Sequence, residues 1–206
     1  GIRVVTIKEP VGVCGLITPW NFPAAMITRK IGPALAAGCT VVAKSPGETP
    51  FTALALAELA HRAGIPKGVV NIISALNNTA EVGELLTTSP TIKKVSFTGS
   101  TGVGKLLMKQ SSSTLKKLSF ELGGNAPFIV FDDADLDMAV AAAVGGAMGA
   151  TGQKCTATRR IIAVGDVHDE LVDRLVAGVG DLVVGDGQDT GVGLGPLVSS
   201  GARAEV

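Results

Sequence analysis

The chain has 206 residues, 46% hydrophobic and 17% charged, which is apolar enough to bury a core in one or two domains and argues against disorder. Its 18 basic and 18 acidic residues cancel, so no global field draws nucleic acid or an anionic membrane. Cys14, Cys39 and Cys155 are far apart and odd in number, and with only His61 and His168 beside them they support neither a disulfide framework nor a zinc cluster.

Apolar runs alternate with amphipathic stretches, which predicts an α/β fold: an open, mostly parallel Rossmann-like sheet with helices on both faces. In chain order the pattern predicts a strand over Gly12 to Thr18, a helix over Ala24 to Ala37, a strand over Thr40 to Ala43 and a helix over Pro50 to Ala63. There follow a strand over Val69 to Ile73, a helix over Ala80 to Thr87, a strand over Lys94 to Phe97 and a helix over Gly102 to Gln110. Strands over Lys117 to Glu121 and Phe128 to Phe131 precede a helix over Leu136 to Gly149. A strand over Arg160 to Val164 and a helix over His168 to Val179 complete the series. Gly38, Gly64 and Pro66 stand where helices should stop. The run from Met138 to Ala150 is too short and too rich in Ala and Gly to span a bilayer, and Gly1 to Val5 does not read as a signal peptide. A cytoplasmic setting is expected, or a mitochondrial matrix in a eukaryote.

Three polar groups stand out for chemistry on a carbonyl. Cys155, in Gly152-Gln153-Lys154-Cys155-Thr156, supplies a thiol that as thiolate attacks an aldehyde carbon. Asn21, in Pro19-Trp20-Asn21-Phe22-Pro23, supplies an amide donor for the resulting oxyanion. Glu121, in Phe120-Glu121-Leu122-Gly123-Gly124, supplies a carboxylate to activate water. Cys14 and Cys39 sit in apolar surroundings and are read as inert buried thiols.

A glycine-rich stretch from Phe97 to Lys105 follows a strand and opens a helix, where backbone N–H groups and the helix dipole hold phosphate. Gly99 and Gly104-Lys105 fit the first part of a P-loop, but Leu106 stands where that motif needs Ser or Thr for magnesium. Lys44 closes an apolar strand at the carboxyl edge of the sheet, where open α/β folds bind ligands.

The ordered blocks Pro10-Val11-Gly12 through Phe22-Pro23, Lys44 to Pro50, Phe97 to Thr101, Glu121 to Gly124 and Gly152 to Cys155 resemble the aldehyde dehydrogenase superfamily. The resemblance runs from about Pro10 to Pro196 and is nearest to succinate-semialdehyde dehydrogenases. It implies NAD or NADP as cofactor and no metal. Thr18, Pro19, Trp20, Lys44, Gly99, Ser100, Val103 and Leu122 would contact the cofactor. Gly47 replaces a glutamate that many NAD-preferring relatives use on the ribose, which points to NADP or dual use, with Glu48 one residue away as a substitute. Ser45-Pro46 departs from the usual Lys-Pro order.

The same resemblance assigns thiohemiacetal formation to Cys155 under the Asn21 amide and hydrolysis of the thioester to Glu121. It makes Arg29 an anchor for a substrate carboxylate, whereas the second arginine of that subfamily is replaced by Gly149. The Cys155 region looks more like enzymes acting on 2-oxoglutarate semialdehyde, so the aldehyde itself stays open. In the resembled family the cofactor domain gives way to the catalytic domain at the Glu-Leu-Gly-Gly block, which implies a boundary near Gly123 or Gly124, with a partial NAD(P)-binding domain over 1–123 and a partial catalytic domain over 124–206. Family members are more than twice this length, so a central fragment of a homodimeric or homotetrameric enzyme is expected. The partner is a small aldehyde, with no nucleic acid and no membrane. Transfer to coenzyme A and an inactive fragment that keeps only a binding surface are the competing readings, the first disfavoured by Glu121.

Overall fold

The computed structural model describes residues 1–206, in which Val13–Ile17 (β1), Val41–Ser45 (β2), Val70–Ser74 (β3), Ile92–Thr98 (β4) and Lys117–Glu121 (β5) make one sheet. Its strand order is β3-β2-β1-β4-β5 and every pairing is parallel. Burial is greatest in β1, β2 and β4 and falls off at β3 and β5. That gradient is what a sheet covered on both faces produces, because central strands must be apolar on both sides.

Two pairs of helices supply the cover. Pro23–Ala36 (α1) and Pro50–Arg62 (α2) bury Ile27 and Ala53 against Cys14, Leu16, Val41 and Ala43 on one face. Thr79–Thr88 (α3) and Thr101–Ser111 (α4) bury Leu86 and Leu107 against Ile17, Val95 and Phe97 on the other. Leu16 and Ile17 thus face opposite ways, as the two-residue period of a strand requires. Both α1 and α2 begin on a proline without a side-chain cap, since proline has no N–H to leave unpaired there. They end where Gly38 and Gly64 take φ of 75° and 88°, values that glycine adopts at little cost.

Contacts divide the chain into two compact units, Gly1–Gly123 and Gly124–Val206. In the second, Pro127–Val130 (β6) pairs in parallel with Arg160–Ala163 (β7). Leu136–Met148 (α5) packs on His168–Gly180 (α6), with Gly178 so close that a Cβ there would lie 3.3 Å from Val144 Cγ2. Arg174 of α6 forms ion pairs with Asp137 and Glu170 on the surface. No helix is long and apolar enough to cross a membrane.

Every strand and helix expected from the sequence is present, with no end displaced by more than two residues. One shift has a chemical cause. Strand β2 runs on through Lys44 to Ser45 because serine keeps the N–H that proline lacks, and the Ser45 hydroxyl lies 2.9 Å from that of Ser74 across the ladder. The last helix, Ser200–Glu205 (α7), was not expected, since six residues show no periodicity; its start is marked by Ser199 Oγ accepting from Ala202 N at 3.1 Å.

Ile27 is fully buried while Ile2 is 95% exposed. Ile27→Ala is expected to destabilise the first unit by about 2–5 kcal/mol, and Ile2→Ala by less than about 0.5 kcal/mol. Urea unfolding followed by Trp20 fluorescence compares them, and equal midpoints would contradict this packing.

Candidate active site

Reversal of the strand order between β1 and β4 opens a crevice at their carboxyl ends, the place where open α/β sheets hold a ligand. Ile17 pairs with Phe97, so the next residues, Thr18 and Thr98, lie at the crevice floor. Both are more than nine-tenths buried, and neither hydroxyl has a hydrogen-bond partner. Buried hydroxyls are normally satisfied, so two orphans at one switch point mark a place that a polar ligand completes. Thr18 was among the sequence candidates and Thr98 was not, although it stands inside one of the motif blocks.

The other cofactor candidates gather on the same edge. Ser100 caps α4, its Oγ accepting from Val103 N at 3.3 Å, and a Cβ on Gly102 in the first turn would meet nothing within 4 Å. That leaves an open helix N-terminus suited to phosphate. Gly99 N donates to Glu121 O at 3.1 Å and ties the turn to the end of β5. Leu122 packs against Gly104, where a Cβ would lie 2.7 Å from Leu122 Cδ2. The half-buried Trp20, next to Pro19, accepts a hydrogen bond on its carbonyl from Thr49 Oγ1 at 3.2 Å. Lys44 is buried at the end of β2; burial pushes its ammonium below the usual range, and the Glu48 charge works the other way. Gly47 has little room for a side chain, since a Cβ would stand 2.6 Å from Leu76 Cδ1 and 3.1 Å from Ala75 O.

A cavity of about 540 Å³ lies beside α1 and is lined by Cys14, Arg29, Lys30, Lys94, Ser119 and Glu121 among others. Arg29 has no carboxylate partner; its Nη1 donates only to Met26 Sδ at 3.7 Å. Lys30 is 91% buried on the core stripe of α1 with Met26 and Ile27 and donates to Ser96 Oγ at 2.9 Å. Burial pushes its ammonium down to about 8; the Glu121 charge pulls it up, and Arg29 and Lys94 push it further down. Sequence reasoning passed over Lys30. The available signal was its spacing, a lysine three and four residues after two core positions of one helix. Cys14 and Cys39 are both buried, and burial raises the Cys14 thiol to about 11, as expected for an inert thiol.

Asn21 is half-buried in the bend between β1 and α1. Cys155 belongs to the second unit and is exposed in a turn closed by Ala157 N donating to Lys154 O at 3.2 Å. The turn follows a short 3-10 stretch, Gly149–Gly152, in which Ala150, Thr151 and Gly152 have φ of 52°, 57° and 69°. Thr151 Oγ1 donates to Gly195 O at 3.3 Å, and Gln153 Oε1 accepts from Val198 N at 2.9 Å, which pins this reversal to the segment before α7. No group of three or more His, Cys, Asp and Glu side chains is placed to hold a metal ion.

Comparison with known proteins agrees with this architecture. The model of the aldehyde dehydrogenase family matches residues 1–206. The chain is 60% identical over 204 residues to succinate-semialdehyde dehydrogenase [NADP(+)] 1 of Schizosaccharomyces pombe, covering 99% of this chain and 41% of that protein. It is 53% identical to a glutarate-semialdehyde dehydrogenase of Pseudomonas aeruginosa, again over 99% of this chain and 42% of the relative. The crystal structure of an E. coli NADP-dependent enzyme superposes with a TM-score of 0.92 at 53% identity, covering 97% of this chain and 41% of that one. The chain thus spans about two-fifths of the length of the relatives it matches.

The buried ammonium gives a pH signature. Lys30 titrates at about 8 in the fold against 10.5 ordinarily, so between those values the unfolded chain binds a proton that the folded chain does not. Stability therefore gains a contribution as pH rises through that window, and Lys30→Met should lack it. Urea midpoints of both proteins at about pH 7.5 and about pH 10 test this; parallel pH dependences would rule it out.

Proposed function

The chain belongs to the aldehyde dehydrogenase family, and from that premise we propose that the protein carrying it oxidises succinate semialdehyde to the dicarboxylic acid through Cys155. The observation that carries this reading is the cavity in which Glu121, the candidate base, and Arg29, a guanidinium without a carboxylate partner, share one lining. A free guanidinium fork suits the far carboxylate of a semialdehyde.

In this reading the Cys155 thiolate attacks the aldehyde carbon, and the Asn21 amide donates to the oxyanion of the thiohemiacetal. A nicotinamide dinucleotide, when bound, supplies the hydride acceptor. Glu121 then takes a proton from the water that opens the thioester and frees the thiol. Lys30 holds a positive charge toward that carboxylate. The orphan hydroxyls of Thr18 and Thr98 and the open start of α4 fit the cofactor at the switch point. Lys44 would reach the ribose, and Gly47 leaves no carboxylate there to repel a 2'-phosphate, so NADP or dual use is assigned. This agrees with the NADP(+) in the S. pombe relative's name. In functional terms, residues 1–123 are then part of the NAD(P)-binding domain and residues 124–206 part of the catalytic domain. A cytoplasmic homodimer or homotetramer belongs to the same reading.

A second reading, a longer semialdehyde, is favoured by the identity to a glutarate-semialdehyde dehydrogenase.

Reduced-nicotinamide absorbance with full-length protein, testing each semialdehyde with NAD and with NADP, separates these readings. Cys155→Ala should abolish oxidation and retain cofactor binding; unchanged turnover would end the nucleophile assignment. Arg29→Ala should raise KM for succinate semialdehyde roughly 10- to 100-fold, the range of a hydrogen bond to a charged group, and change KM for butanal little. Equal effects on the two aldehydes would return Arg29 to a surface role.

A further inference from the structure

Gly149 follows α5 directly, and the three left-handed residues after it fold the chain back so that Lys154 returns to Gly149. A Cβ at Gly149 would lie 2.9 Å from Lys154 Nζ and 3.9 Å from its Cε. The ammonium therefore occupies the space that any side chain at position 149 would need. Lys154 is half-buried and makes no hydrogen bond or ion pair, including none to the last carbonyls of α5. The loop around it is held without its help. Thr151 and Gln153 bond to Gly195 and Val198, and Gly152 packs tightly enough that a Cβ would lie 3.0 Å from Ala147 O.

A half-buried ammonium has lost part of its water, and here no protein carboxylate compensates. An anion from outside can do so with a short, charge-assisted hydrogen bond. Its neighbour in the chain is Cys155, exposed at the next position of the turn. Any group bonded to Cys155 Sγ is thus tethered one residue from a free cation.

We propose that Lys154 is a second anchor for the carboxylate of a semialdehyde substrate, its ammonium standing over Gly149 in place of a cationic side chain at that position. The proposal rests on the function proposed above and deepens it. It makes Lys154 a specificity residue, since an uncharged aldehyde gains nothing from the ammonium. A side chain at position 149 would push the flexible Lys154 head group aside.

The test uses full-length protein and compares kcat/KM for succinate semialdehyde with that for butanal, its uncharged four-carbon counterpart. In Lys154→Met the ratio of the two should fall roughly 10- to 100-fold, and in Lys154→Arg it should be retained; an unchanged ratio in Lys154→Met overturns the proposal. A second readout needs no turnover. Cys155 should react with iodoacetate relative to iodoacetamide less readily in Lys154→Met than in the parent, with the pH profile for iodoacetamide unmoved. A profile displaced to higher pH, with the iodoacetate preference intact, would make Lys154 an aid to thiol ionisation and overturn the anchor. A parent that oxidises neither aldehyde would defeat the proposed function instead, and the alkylation ratio would then decide the anchor by itself.

Discussion

The chemistry of the first unit depends on the parallel pairing of β1 with β4. These strands meet through Ile17 and Phe97, far apart in sequence, and both are buried on both faces by helices. A slip of one residue would turn Leu16 and Ile17 toward the wrong helix pair, so the register is fixed by the two apolar clusters together. With the register fixed, Thr18 and Thr98 arrive side by side with unsatisfied hydroxyls, α4 starts at the same edge, and Glu121 ends the neighbouring strand. The crevice follows from the winding of the sheet, and side chains at strand ends then give it a polar floor.

Three buried lysines in this unit show how a nonpolar interior accommodates charge. Lys116 bonds the carbonyls of Ser89 and Ile92 at 2.5 and 2.8 Å and closes the turn before β4. Lys44 is partly balanced by Glu48. Lys30 has one hydroxyl partner, Ser96, and a carboxylate, Glu121, whose charge only partly offsets its burial. Packing alone would favour an apolar residue at that position of α1. Its ammonium keeps the cavity polar beside the carboxylate that the proposed mechanism uses as base.

The second unit stores backbone strain beside the candidate nucleophile. Ala150 and Thr151 take left-handed conformations without being glycine, at a cost of roughly 1–2 kcal/mol each. Such residues persist only where their surroundings over-determine them. Here the hydrogen bonds to Gly195 and Val198 and the glycines at 149 and 152 do so. The strained run lies immediately before Lys154 and Cys155, and it brings the Lys154 head group over Gly149.

The amino-acid sequence determined the local order of this protein: which segments are strands, which are helices, where Gly38 and Gly64 stop them, and that Cys155, Glu121 and Asn21 are candidates for one chemistry. The strands, helices and stops are read from neighbours within a few positions, because strand and helix periods and turn residues act at that range, whereas the three candidates are joined by the ordered motif blocks and the family resemblance those blocks carry. Tertiary structure decided the rest. Lys30 belongs with Ser96, 66 residues away in sequence, and spacing on α1 alone does not reveal that partner. The orphan state of Thr18 and Thr98 exists only once β1 and β4 pair, and α7 is too short to show a period. Lys154 meets Gly149 because three successive residues turn left-handed, two of them, Ala150 and Thr151, of types that do so only when distant contacts hold them.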